Sequence, residues 1–130
     1  MSPIHQILAV LLVSMCVARA WAAEVLREAV HPRRNVEEFA PVEAKFVRFT
    51  VRATNRGEPC LDELEVYSAD EESRNVALVI SGSRATASGS LSGYAIHQLE
   101  GVHDGRYGNG RSWIADRLDG AWVQIELPQI

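Results

Sequence analysis

Strict alternation of apolar and polar residues, at two places far apart in the chain, constrains the fold more than any other feature. Val47, Phe49, Val51 and Ala53 alternate with Arg48, Thr50 and Arg52, and Val123, Ile125 and Leu127 alternate with Trp122, Gln124 and Glu126. A period of two puts every second side chain on one face, which marks a strand with one wet side. Leu61 to Tyr67 reads as a further strand, with Leu64 and Val66 on one face and Glu63, Glu65 and Tyr67 on the other. Asn75 to Ile80 reads as a short apolar strand, and Tyr94 to Leu99 as a brief helical turn. Turn chemistry separates these pieces: Thr54 to Pro59, the charged connector Ser68 to Arg74, the Ser/Gly-rich loop Ser81 to Gly93, and Asp104-Gly105. Short strands divided by turns, without a long helical period, predict an all-β fold, an antiparallel β-sandwich.

The first 22 residues stand outside that fold. Ile7 to Ala18 is an apolar run closed by Arg19, followed by small residues at Ala18, Ala20 and Ala22. A membrane span needs about 20 apolar residues, whereas a short run before an A-x-A pattern is the mark of a secretory signal peptide. The expected organisation is a signal peptide over 1–22, a polar linker over 23–41 containing Pro32, Arg33-Arg34 and Pro41, and a module over 42–130. The expected location is exported: periplasmic, secreted or at the cell surface, with no transmembrane segment after cleavage. Few strands are available to close two sheets, and the Leu127-Pro128 exit normally leads onward, so further domains of the same protein are expected.

The formal net charge of −4 becomes more negative once Arg19 leaves. Such a chain does not attract polyanions, and no basic stripe with interleaved aromatics runs along it, so nucleic acid is not an expected partner. Of the two cysteines, Cys16 lies in the signal segment and Cys60 is left without an internal disulfide partner. It reads as a small buried hydrophobe in preference to a reactive thiol.

Two groups of motifs carry a resemblance. One is the Asn75–Ser90 segment, Asp104-Gly105, Trp113 and the Trp122-Val-Gln-Ile-Glu-Leu127 strand; the other is Phe46-Val-Arg-Phe49 and Leu61-Asp-Glu-Leu-Glu-Val-Tyr67. Together they resemble the discoidin, or coagulation factor 5/8 type C, family. The family order is reversed here: the closing hairpin precedes the opening half and the middle strands are missing. A remnant of a preceding module or a circular permutation gives this order; permutation costs little because termini of compact domains often lie close together, and it is favoured because the two parts are only a few residues apart and could pair in one sheet. The resemblance implies an incomplete discoidin-like jelly roll that binds carbohydrate or a cell-surface component. It also implies that the Phe46–Tyr67 hairpin and the Asn75–Leu127 segment share one sandwich, with Glu63 near Asp104. In many relatives such a pair helps to hold a structural Ca²⁺, which takes about six to eight oxygen ligands. The family hydroxyl two residues before the Trp is replaced here by Arg111, whose own charge offers an alternative partner for Asp104.

Sugar rings stack on aromatic faces while polar groups take their hydroxyls. Tyr94, His97, Tyr107, Asn109 and Arg111 are therefore the candidate ligand-binding residues, with Tyr107 the leading platform, flanked by Arg106 and Gly108. Trp113 and Trp122 are expected in the core, and His97 and His103 as hydrogen-bonded residues. Catalytic patterns are missing: Gly89-Ser-Leu-Ser-Gly93 has Leu91 where a nucleophile elbow needs Ser. No HExxH or Walker loop occurs, and Glu63 and Glu65 read as a solvated edge and not as a glycosidase pair. A non-catalytic binding module is thus expected. The alternatives are a structural spacer and the N-terminal accessory region of a larger secreted enzyme.

Overall fold

A computed structural model describes residues 30–128; the expected signal peptide and the start of the linker lie outside them. The chain divides between Glu38 and Phe39. The described part of the first unit, residues 30–38, is exposed and carries a loop closed by His31 and Asn35. His31 N–H donates to Asn35 Oδ1 at 2.7 Å, and Asn35 Nδ2 returns a bond to the His31 carbonyl at 2.9 Å.

The second unit is all-β and antiparallel. Its strands are β1 (Phe46–Val51), β2 (Cys60–Leu61), β3 (Arg84–Ala87), β4 (Trp113–Ile114) and β5 (Ala121–Glu126). They form a three-stranded sheet in the order β1-β5-β3 and a two-stranded sheet β2-β4. The two alternating segments found in the sequence are direct neighbours, with Arg48 opposite Gln124 and Thr50 opposite Trp122. β5 is central because Ala121, Val123 and Ile125 are all buried while both of its edges are paired. Those three residues join Ala77, Val102, Trp113 and Ala115 in one core, edged by Val51, Leu61, Leu64, Val66, Ala85, Ala87, Leu99 and Leu127. Both sheets contribute to it. Trp113 is its largest member, and its indole N–H reaches Ser90 Oγ at 3.0 Å.

Three local expectations need correction. Asn75–Ile80 is not a strand: the Asn75 side chain accepts the N–H groups of Val66 and Ala77, both at 3.1 Å, and turns the chain back. A 3₁₀ turn at Val79–Ser81 follows, ended by Gly82 at φ 91, a left-handed conformation that a β-carbon disfavours. Of that apolar run only Ala77 is buried, and Ile80 is 90% exposed. The strand comes later as Arg84–Ala87, inside the expected loop, with Ala85 and Ala87 turned inward beside β5. The helical turn is displaced too, from Tyr94–Leu99 to a 3₁₀ segment at Leu99–His103. Leu61–Tyr67 is extended but ladders only at Cys60–Leu61 and at a bridge from Tyr67 to Asn75.

Two side chains also differ from expectation. Cys60 is exposed, because in β2 it is Leu61 that faces the core. Trp122 is half-buried on the outer face of the sheet, since the inner positions of β5 go to Ala121, Val123 and Ile125. His103, by contrast, is buried and hydrogen-bonded. Its Nδ1 lies 3.1 Å from the Ala77 carbonyl and 3.0 Å from Ser83 Oγ, and Ser83 Oγ donates to the same carbonyl. A carbonyl only accepts, so Nδ1 carries the proton and ties this turn to the core.

Candidate ligand-binding loop

The segment from Asp104 to Arg111 is held at both ends and in the middle by charged side chains. At its start, Asp104 Oδ1 accepts the Arg106 N–H at 2.8 Å, and Oδ2 takes Arg111 Nε at 2.8 Å and Nη2 at 2.7 Å. The Asp104 side chain is 14% exposed and that of Arg111 about half exposed, so the pair is shielded on the carboxylate side alone. Burial pushes the Asp104 carboxyl up, but the Arg111 bonds, the Arg106 N–H and both positive charges outweigh it and hold it below its ordinary range.

Three carboxylates from residues 62–65 then clamp the loop from outside. Asp62 accepts the Gly108 N–H at 2.9 and 3.2 Å, and Glu63 Oε1 accepts the Gly105 N–H at 3.0 Å. Glu65 Oε1 takes the hydroxyls of Tyr107 at 2.7 Å and Tyr67 at 3.0 Å. These residues are therefore not the solvated edge expected from their alternation. The extended 62–67 segment lies beside the loop, so its three carboxylates reach donors at Gly105, Tyr107 and Gly108. The bond to Glu65 also makes the Tyr107 phenol hard to ionise, pushing its pKa up to about 12.

Glu63 is the strained member. Its Oε2 is buried and has no hydrogen-bond partner. Burial raises its pKa to about 7; the Gly105 N–H opposes this, while the charges of Asp104, Glu65 and Asp62 add to it.

The sequence-derived candidates fall into two adjoining groups. Tyr107, Asn109 and Arg111 share the clamped loop, whose tip is a turn closed by Arg111 N–H to the Gly108 carbonyl at 3.1 Å, with Asn109 exposed at its apex. Tyr107 remains 69% exposed although its hydroxyl is tethered. Tyr94 and His97 form a tilted ring pair, centroids 5.8 Å apart, and His97 Nδ1 lies 3.0 Å from the Ser112 carbonyl, next to Arg111. The backbone beneath is tight: a β-carbon on Gly101 would stand 1.7 Å from the Arg111 carbonyl oxygen. Sequence reasoning missed Asp62 and Glu65 as loop holders. The run Asp62-Glu63-Leu64-Glu65 facing a Gly-rich loop with free N–H groups is the pattern that could have pointed to them.

Glu63 and Asp104 are neighbours, as the calcium reading requires, and Glu63 Oε2 is the one oxygen of the two carboxylates left without a partner. Asp104 Oδ2 is covered by the Arg111 guanidinium, and Glu63 Oε1 by the Gly105 N–H. Among the described residues no group of three or more His, Cys, Asp or Glu could hold a metal. The positive charge beside Asp104 comes from Arg111. No helix among the described residues is long and apolar enough to cross a membrane. No protein-family model, curated protein or solved structure matches the chain.

Proposed function

We propose that this chain is an exported, non-catalytic binding module of discoidin-like sandwich type, which presents the 94–97 and 104–111 loops to a carbohydrate or cell-surface component and thereby positions a larger protein. The observation that carries this reading is the state of Tyr107. Its ring is exposed, yet its hydroxyl is fixed by Glu65 on a loop tied down by Asp62, Glu63 and Asp104. A ring held in place before the ligand arrives loses little freedom on binding, which favours recognition by stacking. Asn109 and the N–H groups of Arg111 not engaged by Asp104 supply hydrogen bonds beside it. The non-catalytic reading is supported by the burial of Ser83 and His103, each 4% exposed, which leaves that Ser–His contact without access to a substrate.

A panel of immobilised neutral and acidic glycans tests the proposal. The protein should bind a subset, Tyr107→Ala should abolish that binding, and Tyr107→Phe, which keeps the ring but loses the tether, should weaken it by a smaller factor. Binding to no glycan and no cell surface, with the fold intact, would leave a structural spacer as the better description.

A further inference from the structure

The outer face of the β1-β5-β3 sheet carries a second arrangement, independent of the loops. Across the sheet the register aligns Phe46, Glu126 and Arg84 in one row, and Arg48, Gln124 and Thr86 in the next. Thr50 and Trp122 begin a third row, which Ser88 completes by accepting the Trp122 N–H on its Oγ at 3.1 Å. Arg48 organises the centre. Its guanidinium lies 4.2 Å from the Trp122 ring centroid, and its Nε and Nη2 donate to Gln124 Oε1 at 3.0 and 2.8 Å. Its Nη1 makes no hydrogen bond among the described residues. Arg84 is exposed and has neither a hydrogen bond nor an ion pair among them.

The charge of this face is opposite to that of the chain. Lys45, Arg48 and Arg84 stand against one carboxylate, Glu126, which pairs with Lys45 at 3.1 Å, whereas the whole chain carries −4. A groove lined by Lys45, Gly82, Arg84, Glu126, Leu127 and Pro128 opens at the Arg84 end of the same face. The bland reading is a solvated sheet surface on which Arg48 shields a Trp. It accounts for Arg48, but not for a second cation, Arg84, left unpaired on the rim of a groove in an acidic protein.

We infer that this sheet face binds an acidic polysaccharide, its carboxylate or sulfate groups meeting Arg48 and Arg84 and its hydroxyls meeting Gln124, Thr50 and Thr86. Sugar fits better than nucleic acid, because bases need open aromatic faces to stack on, and the Trp122 and Phe46 rings already carry the Arg48 guanidinium and the Lys45 ammonium. Two cations on the strands that flank β5 suit a repeating acid group, and the attraction is electrostatic and falls with salt.

The experiment measures binding of the purified protein to polygalacturonate, dextran sulfate, neutral dextran and oligo-dT at low and high salt. Binding to polygalacturonate or dextran sulfate is expected, weakening as salt rises, with neutral dextran at least tenfold weaker; the tighter of the two charged glycans identifies the acid group. Arg84→Gln should weaken binding several-fold, and Arg48→Gln with Arg84→Gln at least tenfold. Tyr107→Ala should leave it unchanged, which separates this face from the loop site. The inference is overturned if neither charged glycan binds, if neutral dextran binds as well, if the folded double variant binds like the parent, or if oligo-dT binds more tightly than both glycans.

Discussion

In the β1-β5-β3 sheet, positions are set by the backbone ladder and side chains simply follow the pleat. At the loop end, built from residues 60–68 and 101–113, side chains set the backbone. Asp62, Glu63 and Asp104 accept loop N–H groups, and Arg111 closes the loop by gripping Asp104. The sheet therefore tolerates changes on its outer face, where Arg84, Thr50 and Thr86 contact mainly solvent. The loop end is less tolerant, because Asp62, Glu63 and Asp104 are each the side-chain partner of a loop N–H, and exchanging any of them releases that donor. Irregular backbone has no ladder to satisfy its N–H groups, and here carboxylates accept those of Gly105, Arg106 and Gly108.

The contrast is broken most severely at Gly101. A β-carbon there would meet the Arg111 backbone carbonyl at 1.7 Å, a group that cannot swing aside as a side-chain tip would. Gly101→Ala should lower stability by about 3 kcal/mol or prevent folding, measured by urea unfolding. Gly110→Ala lies in the same loop with nothing within 4 Å of the added carbon, and should change stability by less than about 0.5 kcal/mol. Equal effects at the two positions would mean that the 99–103 segment does not pack against Arg111.

Next in size is the ion pair. Arg111→Gln removes the positive charge from the shielded Asp104 carboxylate and should cost about 2 kcal/mol at pH 7, between the values for exposed and buried pairs. The sign with pH is fixed by the direction of the Asp104 shift. A carboxyl held below its ordinary value stabilises the fold above that value and loses the effect as pH falls through the lowered one. The gap between parent and variant should therefore narrow in strong acid. A gap that stays constant down to that range would show that Arg111 acts through packing and not through charge.

The two regions also differ in how far the sequence foretold them. β1 and β5 were legible because Val47, Phe49 and Val51, like Val123 and Ile125, are bulky enough to declare their face. β3 was hidden because its inward residues, Ala85 and Ala87, give almost no apolar contrast with Thr86. The run Val76–Ile80 misled for the opposite reason: its hydrophobicity fits a strand, but the Asn75 side chain takes the neighbouring N–H groups and forces a turn. The nearness of Glu63 to Asp104 lies across about forty residues and follows from the Glu63 bond to the Gly105 N–H. The clamps of Asp62 and Glu65 depend on bonds across more than forty residues, which neither period nor propensity encodes. The size of Trp122 argues for the core, but its place in the alternation of β5 puts it outside.

The smallest effect expected is also the one that most sharpens the comparison, because the sheet has no equivalent of it. Glu63 Oε2 is buried without a partner, and burial raises the Glu63 pKa from 4.5 to about 7. Below pH 4.5 the group is protonated in both the folded and unfolded chain and costs nothing. As pH rises toward 7 the unfolded chain ionises freely while the folded one resists, so stability falls, and above about 7 the loss is complete. The whole shift corresponds to about 3 kcal/mol, but much of the side chain is within reach of water, and about 1 kcal/mol is the expected loss. Glu63→Gln keeps an oxygen for the Gly105 N–H and cannot ionise. Urea unfolding at pH 5 and pH 8 should therefore show the parent losing about 1 kcal/mol more than Glu63→Gln between those values. Parallel pH profiles for the two proteins would mean that the Glu63 carboxylate is solvated in the folded chain and that the clamp on Gly105 carries no electrostatic cost.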